Sequence, residues 1–96
     1  MASNFEIDCE WKRDTLYLDL LGDFDEDSAC DLIEALKEKC QNASVVFIKA
    51  VGVANLDASG CDAFKKKVYV LKDWCYRLVF MDQNAIRLKP EWIEFF

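Results

Sequence analysis

The sequence contains no histidine, only three glycines and one proline among its 96 residues. Without histidine, His-based acid–base catalysis and His-containing metal sites are excluded. So few glycines leave little room for a Gly-rich phosphate-binding loop, and no linker is evident. No apolar run approaches the ~20 residues that a membrane-spanning helix needs, so we expect no membrane insertion.

Positive charge is also scarce, with 12 Lys and Arg residues against 18 Asp and Glu residues and a net charge of −6. A phosphate backbone requires a basic protein surface, so nucleic acid is not expected as a partner. The same excess of acid disfavours an anionic membrane surface. The charge instead favours a protein partner that presents a basic patch.

The five cysteines are an odd number and contain no C-x-x-C pair, so zinc-ribbon spacing is absent. We expect them to be buried, reduced thiols of a cytoplasmic protein. The first 15 residues carry acids and lack the apolar stretch of a signal peptide, which supports the same location.

The hydrophobic content of 53% is sufficient for one core, and we expect residues 1–96 to form a single small domain. Apolar patterning predicts strands at residues 5–11, 15–21, 45–48 and 75–81 and helices at 28–41 and 60–73. Residues 49–55 are predicted as an exit loop or short edge strand, and 92–96 as a further edge strand. The order predicts an α/β fold with a mixed four- to five-stranded sheet, an opening hairpin and helices packed on the sheet.

Each predicted helix has one apolar face, because its hydrophobic residues recur at intervals of three and four. The first face contains Ala29, Leu32, Ile33, Leu36 and Cys40, and the second contains Cys61, Phe64, Val68 and Leu71. The thiol of Cys61 falls in a first helical turn, where a thiolate is stabilised. Its place on the apolar face favours a buried, inert thiol instead.

Residues 22–27 are predicted as an acidic loop that leads into the first helix, with Asp25, Asp27 or Ser28 as its N-cap. Four carboxylates within five residues suggest calcium, but the loop lacks the 12-residue ligand spacing. Acids that favour a helix start explain the loop without a metal. We expect it at the same edge of the sheet as Asp57, since both segments follow strands and precede helices.

Residues 55–61 place a polar cluster at the start of the second helix, where the first amides lack internal partners. Such a point attracts a carboxylate or phosphate group and suits control by phosphorylation. We interpret Ser59 as the cap of a helix that begins to wind at Gly60. Phosphorylation of Ser59 is the alternative.

Two segments resemble STAS domains, the family of bacterial anti-sigma factor antagonists. Residues 18–25, with Ser28, Ala29 and Leu32, are similar to the family pattern L-x-L-x-G-x-L-D-x-x-T-A-x-x-L. Residues 56–64 resemble its signature I-D-S-S-G-L-x-x-L, and residues 45–48 match its central strand. The resemblance runs from about residue 5 to residue 80.

The resemblance implies a domain without catalytic activity or cofactor, which binds an anti-sigma factor that is also a serine kinase. In that family, the kinase phosphorylates the first hydroxyl residue after the signature Asp and thereby blocks binding. Ala58 occupies that position here and has no hydroxyl group. The resemblance therefore implies an antagonist-like regulator that is not phosphorylated at the usual site. The implied docking residues are Gly22, Asp23, Asp25, Asp57, Ala58, Ser59 and Gly60.

Three alternatives remain open from the sequence. Some short STAS proteins dock on the ATPase of a membrane lipid-transport complex, which needs no phosphate control. A small redox enzyme that uses Cys61 is the alternative from another class. At the C terminus, where the family has a fuller helix, Pro90 intervenes, and exposed aromatics such as Phe95 and Phe96 are typical of a homodimer contact. The interpretation that we favour for this region is that Trp92, Ile93 and Phe96 cover one end of the core.

Overall fold

The computed structural model describes residues 4–71 and 77–90. Its elements in chain order are β1 (Glu6–Lys12), β2 (Thr15–Phe24), α1 (Glu26–Lys39), a 3-10 turn (Cys40–Asn42), β3 (Val45–Leu56), α2 (Ala58–Lys67), a second 3-10 turn (Val68–Leu71), β4 (Leu78–Phe80) and α3 (Gln83–Ile86). The predicted order of strands and helices is confirmed.

The strands form one sheet in the order β1-β2-β3-β4 within the described residues. β1 and β2 are an antiparallel hairpin, and its turn places Arg13 at a φ of 60°. β3 pairs in parallel with β2 on one side and with β4 on the other. The predicted α/β class, with a mixed sheet and packed helices, is therefore confirmed.

One hydrophobic cluster joins the helices to the sheet. Leu16, Leu18 and Leu20 alternate along β2, and each is fully buried because alternate residues of a strand face the same side. The predicted apolar faces of both helices belong to the same cluster. β1, in contrast, was predicted to be half-buried and is mostly exposed, with Ile7 partly covered.

Both interior strands extend further than their patterns predicted. β2 continues through Gly22 to Phe24, so the predicted acidic loop is reduced to Asp25. β3 continues to Leu56, so residues 49–55 are strand and not an exit loop. Two register irregularities lie between β2 and β3 in this stretch. They interrupt the period of two by which a strand is recognised in a sequence.

The cysteines differ from the expectation of buried, reduced thiols. Cys9, Cys30 and Cys61 are free, but the first two are exposed. Cys40 is buried on the predicted face of α1 and is disulfide-bonded. The expectation is therefore wrong for Cys9, Cys30 and Cys40.

The chain after β4 forms α3, where Asp82 accepts a hydrogen bond from Ala85 N at 2.9 Å and from Ala50 N at 2.8 Å. The first bond caps α3, and the second attaches its start to the middle of β3. The predicted edge strand at residues 92–96 and the aromatic contact proposed there lie outside the described residues. No helix within the described ranges is long and apolar enough to cross a bilayer.

Candidate functional site

The carboxyl ends of β2 and β3 lie side by side, and α1 and α2 begin there. Asp23 pairs with Asn55 and Phe24 with Leu56 in the parallel register. Asn55 Nδ2 donates a hydrogen bond to Asp23 Oδ1 at 2.7 Å, and Asp57 N donates to Phe24 O at 2.9 Å. The acidic segment and Asp57 therefore meet at one edge of the sheet, as the sequence predicted.

We call the seven residues predicted for docking, Gly22, Asp23, Asp25, Asp57, Ala58, Ser59 and Gly60, the rim. It consists of two corners, at each of which a strand passes into a helix. The first corner contains the end of β2 and the start of α1. The second contains the end of β3 and the start of α2.

At the first corner, Asp25 is the N-cap of α1. Its Oδ1 accepts hydrogen bonds from Ser28 N at 2.9 Å and from Ser28 Oγ at 3.0 Å. The hydrogen bond from the backbone N–H of Ser28 lowers the pKa of Asp25 most, and the bond from the Ser28 hydroxyl lowers it further. The charged carboxylate is thus stabilised by the helix start that it caps.

Ser28 is fully buried and links the two sides of this corner. Its Oγ lies 2.8 Å from Asp23 O and 3.0 Å from Asp25 Oδ1. A buried hydroxyl without partners would cost stability, and here both neighbours are acceptors. The polar groups of the first corner therefore satisfy one another within the domain.

At the second corner, Asp57 is the N-cap residue of α2, but its side chain makes no capping bond. Asp57 Oδ2 instead accepts a hydrogen bond from Ser59 Oγ at 3.0 Å. The prediction that Ser59 caps this helix is wrong, because α2 begins at Ala58 and Ser59 lies inside its first turn. Asp57, Ala58 and Ser59 are all exposed.

The start of α2 leaves backbone amides without a partner inside the helix, and its first two residues, Ala58 and Ser59, are exposed. The first regular backbone bond runs from Cys61 N to Asp57 O at 3.0 Å, which leaves the earlier amides without a partner inside the helix. The positive end of the helix dipole lies at the same point. This corner can therefore accept an anionic group or a carbonyl oxygen from outside.

Two glycines fix the shape of the rim. Gly60 is buried against the backbone of Asp25, and a Cβ at this position would lie 2.8 Å from the carbonyl carbon and oxygen of Asp25. Gly22 has a φ of 91°, in the region that glycine adopts readily, and a Cβ there would collide with the backbone of Asn4. Close packing of Gly60 brings the starts of α1 and α2 together.

Cys61 lies behind the second corner, on the inner side of α2. Burial raises the pKa of its thiol, and the nearby positive charges of Arg87 and Lys65 only oppose that effect. A raised pKa keeps the thiol protonated, and the thiolate is the nucleophile in cysteine chemistry. The arrangement does not favour the alternative of an enzyme that uses Cys61.

Each carboxylate of the rim accepts a hydrogen bond from a neighbouring side chain or amide, and the three do not converge on one ligand. Asp23 accepts from Asn55, Asp25 from Ser28 and Asp57 from Ser59. Across the described ranges, 4–71 and 77–90, no three or more Asp, Glu or Cys side chains are grouped to hold a metal ion. The two corners enclose an open depression of about 420 Å³ that Asp23, Phe24 and Asn55 help to line.

Sequence reasoning missed two residues of this site. Asn55 was placed in a loop or edge strand, although its side chain bonds to Asp23 across the two strands. Ser28 was named as a cap candidate and as part of the family pattern, but its buried hydroxyl, which connects Asp23 to Asp25, was not predicted. The family pattern has a hydroxyl residue at the position of Ser28, and that signal pointed to it.

No protein-family model and no curated protein matches this chain. Solved structures do match. One is the anti-sigma factor antagonist SpoIIAA in its unphosphorylated form, with 13% identity, a TM-score of 0.60 and coverage of 94% of this chain and 86% of that one. Another is an uncharacterized DUF3478 family protein with a SpoIIAA-like fold from Shewanella loihica PV-4, with 17% identity, a TM-score of 0.59 and coverage of 100% and 90%.

A third match is the crystal structure of Mglu, with 22% identity and a TM-score of 0.66. The match covers 90% of this chain, but this chain spans only 20% of the length of Mglu. Sequence identities of 13–22% establish a similar fold and nothing about function. The protein has a SpoIIAA-like, STAS-type fold, and the predicted fold resemblance is confirmed.

Proposed function

We propose that this protein is a non-enzymatic interaction module of STAS type that acts as an anti-sigma factor antagonist or an antagonist-like regulator. Its partner is an anti-sigma factor with serine-kinase activity. The observation that carries the proposal is the exposed, uncapped start of α2 at Asp57, Ala58 and Ser59, beside the acidic end of β2 in a SpoIIAA-like fold. The proposal places the protein in the cytoplasm and needs no cofactor, metal, nucleic acid or membrane.

Docking at the rim combines two kinds of contact. The free amides of α2 donate hydrogen bonds to acceptor groups of the partner. The carboxylates of Asp23 and Asp57 pair with basic side chains, and the net charge of −6 accelerates the encounter with a basic surface at low salt. Gly22 and Gly60 hold the two corners at the spacing that the partner contacts.

Ala58 makes the docked state independent of phosphorylation at the usual site. Its methyl group offers no oxygen for phosphoryl transfer, whereas its exposed position is the one that a kinase active site would reach. The nearby Ser59 hydroxyl donates to Asp57 Oδ2 at 3.0 Å, and this bond draws it toward a carboxylate that repels a phosphate group. We therefore expect the wild-type protein to stay unmodified.

The test mixes the purified chain with ATP and a purified anti-sigma factor kinase of the Bergerat type. Intact mass should show no phosphoryl group on the wild type and one on Ala58→Ser. An Ala58→Ser/Ser59→Ala double variant is the matched control and should gain one group as well. A phosphoryl group on the wild type that Ser59→Ala removes would replace the proposal with regulation at Ser59.

Docking itself is tested by the affinity of the same kinase for rim variants. Asp57→Asn should weaken binding about tenfold or more, since a charge-assisted contact is lost. Asp8→Asn is the matched control, because Asp8 is an exposed aspartate of β1 outside the rim, and it should bind like the wild type. Equal affinities for the two variants would contradict docking at the rim.

The second candidate is an adaptor that docks on the ATPase of a membrane lipid-transport complex. Ala58 favours it, because docking on such an ATPase requires no phosphate control. A binding measurement with each purified partner separates the candidates. High affinity for the transporter ATPase together with no affinity for the kinase would select the adaptor.

A further inference from the structure

A groove of about 540 Å³ runs between α1 and α2, and Ser59 of the rim belongs to its lining. Its charges are ordered along its length. Glu26 and Asp27 of α1 and Asp62 of α2 line the part near the helix starts, and Lys66 and Lys67 line the part further along α2. All five side chains are exposed. The groove therefore has an acidic end and a basic end.

The middle of the groove is formed by small side chains. Cys30 of α1 and Ala63 of α2 lie between the two charged ends. Cys30 is exposed and free, and Ala63 is half-buried. Small residues allow another helix surface to approach closely, so the middle of the groove presents no steric barrier to a partner.

A surface with opposite charges at its two ends complements itself when it is rotated by 180°. A two-fold axis through the middle, near Cys30, would place the acidic end of one copy on the basic end of the other, twice. Two-fold dimers use the same patch on both subunits, and that patch must be self-complementary. The order of charges in the groove therefore matches a second copy of this chain, which carries the complementary charges itself.

We propose that a second copy of this chain binds in the groove and forms an antiparallel, two-fold symmetric dimer in which Glu26, Asp27 and Asp62 face the partner's Lys66 and Lys67. Asp62 and Lys66 are one helical turn apart, about 6 Å along α2. A two-fold axis that passes midway between them would place Asp62 of each copy opposite the partner's Lys66. The dimer would cover Ser59, which the proposed docking also uses, but its test needs no other protein and so is separate from the test of the proposed function.

Sedimentation velocity of the full chain tests the dimer directly. At low ionic strength we expect a concentration-dependent monomer–dimer equilibrium. Dimerisation should weaken as salt is raised, because exposed charge pairs are screened over about 10 Å at 0.1 M salt. Monomer alone at every concentration up to the millimolar range in low salt would overturn the proposal.

Charge reversal assigns the equilibrium to the groove. Lys66→Glu/Lys67→Glu should raise the dimer dissociation constant about tenfold or more, since it places like charges opposite each other. Lys65→Glu is the control, because Lys65 is exposed on the same helix but does not line the groove. Asp27→Asn/Asp62→Asn should weaken the dimer from the other end, with the fold of each variant checked by circular dichroism. An equal loss for Lys65→Glu would overturn the assignment.

Cross-linking tests the position of the axis. A short bis-maleimide should join two copies through Cys30 in a Cys9→Ser variant, because the two Cys30 side chains lie close to the axis. The Cys30→Ser variant retains the exposed Cys9 on β1 and should stay monomeric in the same reaction. Cross-linked dimer from Cys30→Ser but not from Cys9→Ser would place the contact at β1 and overturn the proposal.

Discussion

Both corners of the rim are strand-to-helix junctions, but only the helix at the first corner has a side-chain N-cap. At the first, Asp25 caps α1 through Ser28 N, and the first turn carries Glu26 and Asp27. At the second, Asp57 makes no capping bond, and the first turn of α2 carries no acid. The first helix start is thus satisfied from within, whereas the second has no side-chain cap, and the proposed function assigns its amides to the partner.

Two serines show the same difference in their surroundings. Ser28 is buried and fixed by hydrogen bonds, whereas Ser59 is exposed and contacts only Asp57 among the hydrogen bonds of the described chain. A helix start that is left uncapped costs stability, which the neighbouring capped corner helps to offset. We expect substitutions of Asp25 and Ser28 to change folding and substitutions of the exposed Asp57 and Ala58 to change docking, whereas Gly60 lies where the corners touch and affects stability.

The largest effect is expected at Gly60, where the two corners touch. Gly60→Ala would place a Cβ 2.8 Å from the Asp25 carbonyl, and backbone atoms cannot move away as a flexible side chain can. We expect a loss of about 2 kcal/mol in the free energy of unfolding by urea. Alanine is the better helix former by ~1 kcal/mol, so the loss must come from this contact.

Gly52→Ala is the matched control for that substitution. A Cβ at Gly52 would meet the side chain of Leu21, which can change its rotamer. We expect a smaller loss than at Gly60. A stabilised Gly60→Ala protein would show that the corners are not in close contact.

Removal of each N-cap carboxylate compares the corners directly. Asp25→Ala should lower the thermal midpoint by ~5 °C, because a hydrogen-bonded cap is lost. Asp57→Ala should change it by much less, because its carboxylate caps nothing. Thermal unfolding followed by circular dichroism measures both, and equal shifts would contradict the difference between the corners.

The pH dependence of stability should report on the capped first corner. The folded-state pKa of Asp25 is held below its usual 3.8 by the hydrogen bonds from Ser28. Its contribution to stability is therefore complete above that usual value and is lost as the pH falls through the lower folded value. The stability gap between wild type and Asp25→Ala should narrow in this acidic range, as urea unfolding at a series of pH values will show. A gap that widens on acidification would contradict the assignment.

The smallest effect is expected for maleimide labelling of Cys61, which lies on the inner side of the second corner. Cys61 is buried and its pKa is raised, so a maleimide should label it only after unfolding. Cys9 and Cys30 are exposed and should react in the folded protein. Mass spectrometry of the labelled peptides reads all three, and fast labelling of Cys61 would show that the start of α2 is open on both sides.

Much of this fold could be predicted from periodicity. The faces of α1 and α2 were identified because Leu32, Leu36, Phe64 and Val68 recur at helical spacing and their burial obeys that spacing. The second half of β3 was not identified, because its two register irregularities shift the side-chain alternation relative to β2. Such irregularities depend on the neighbouring strand and leave no local pattern.

The site was predictable in its position but not in its bonding. Parallel strands end at one edge of a sheet, so the proximity of the acidic segment to Asp57 followed from the order of elements. The helix was predicted to start at Gly60 with Ser59 as its N-cap, but it starts two residues earlier, at Ala58, with Asp57 as its N-cap. Sequence patterns do not fix a helix end to within two residues. The bond from Asn55 to Asp23 required the strand register. The role of the seven rim residues in docking remains a prediction.

The most direct test of that role adds one negative charge at the second corner and measures affinity for the purified anti-sigma factor kinase. Ala58→Glu mimics the charge of a phosphoryl group at the family's usual site, and Val51→Glu adds the same charge at a 72% exposed residue of β3 outside the rim. We predict that Ala58→Glu reduces affinity about tenfold or more while Val51→Glu binds like the wild type. Unchanged binding by Ala58→Glu would contradict docking through the start of α2.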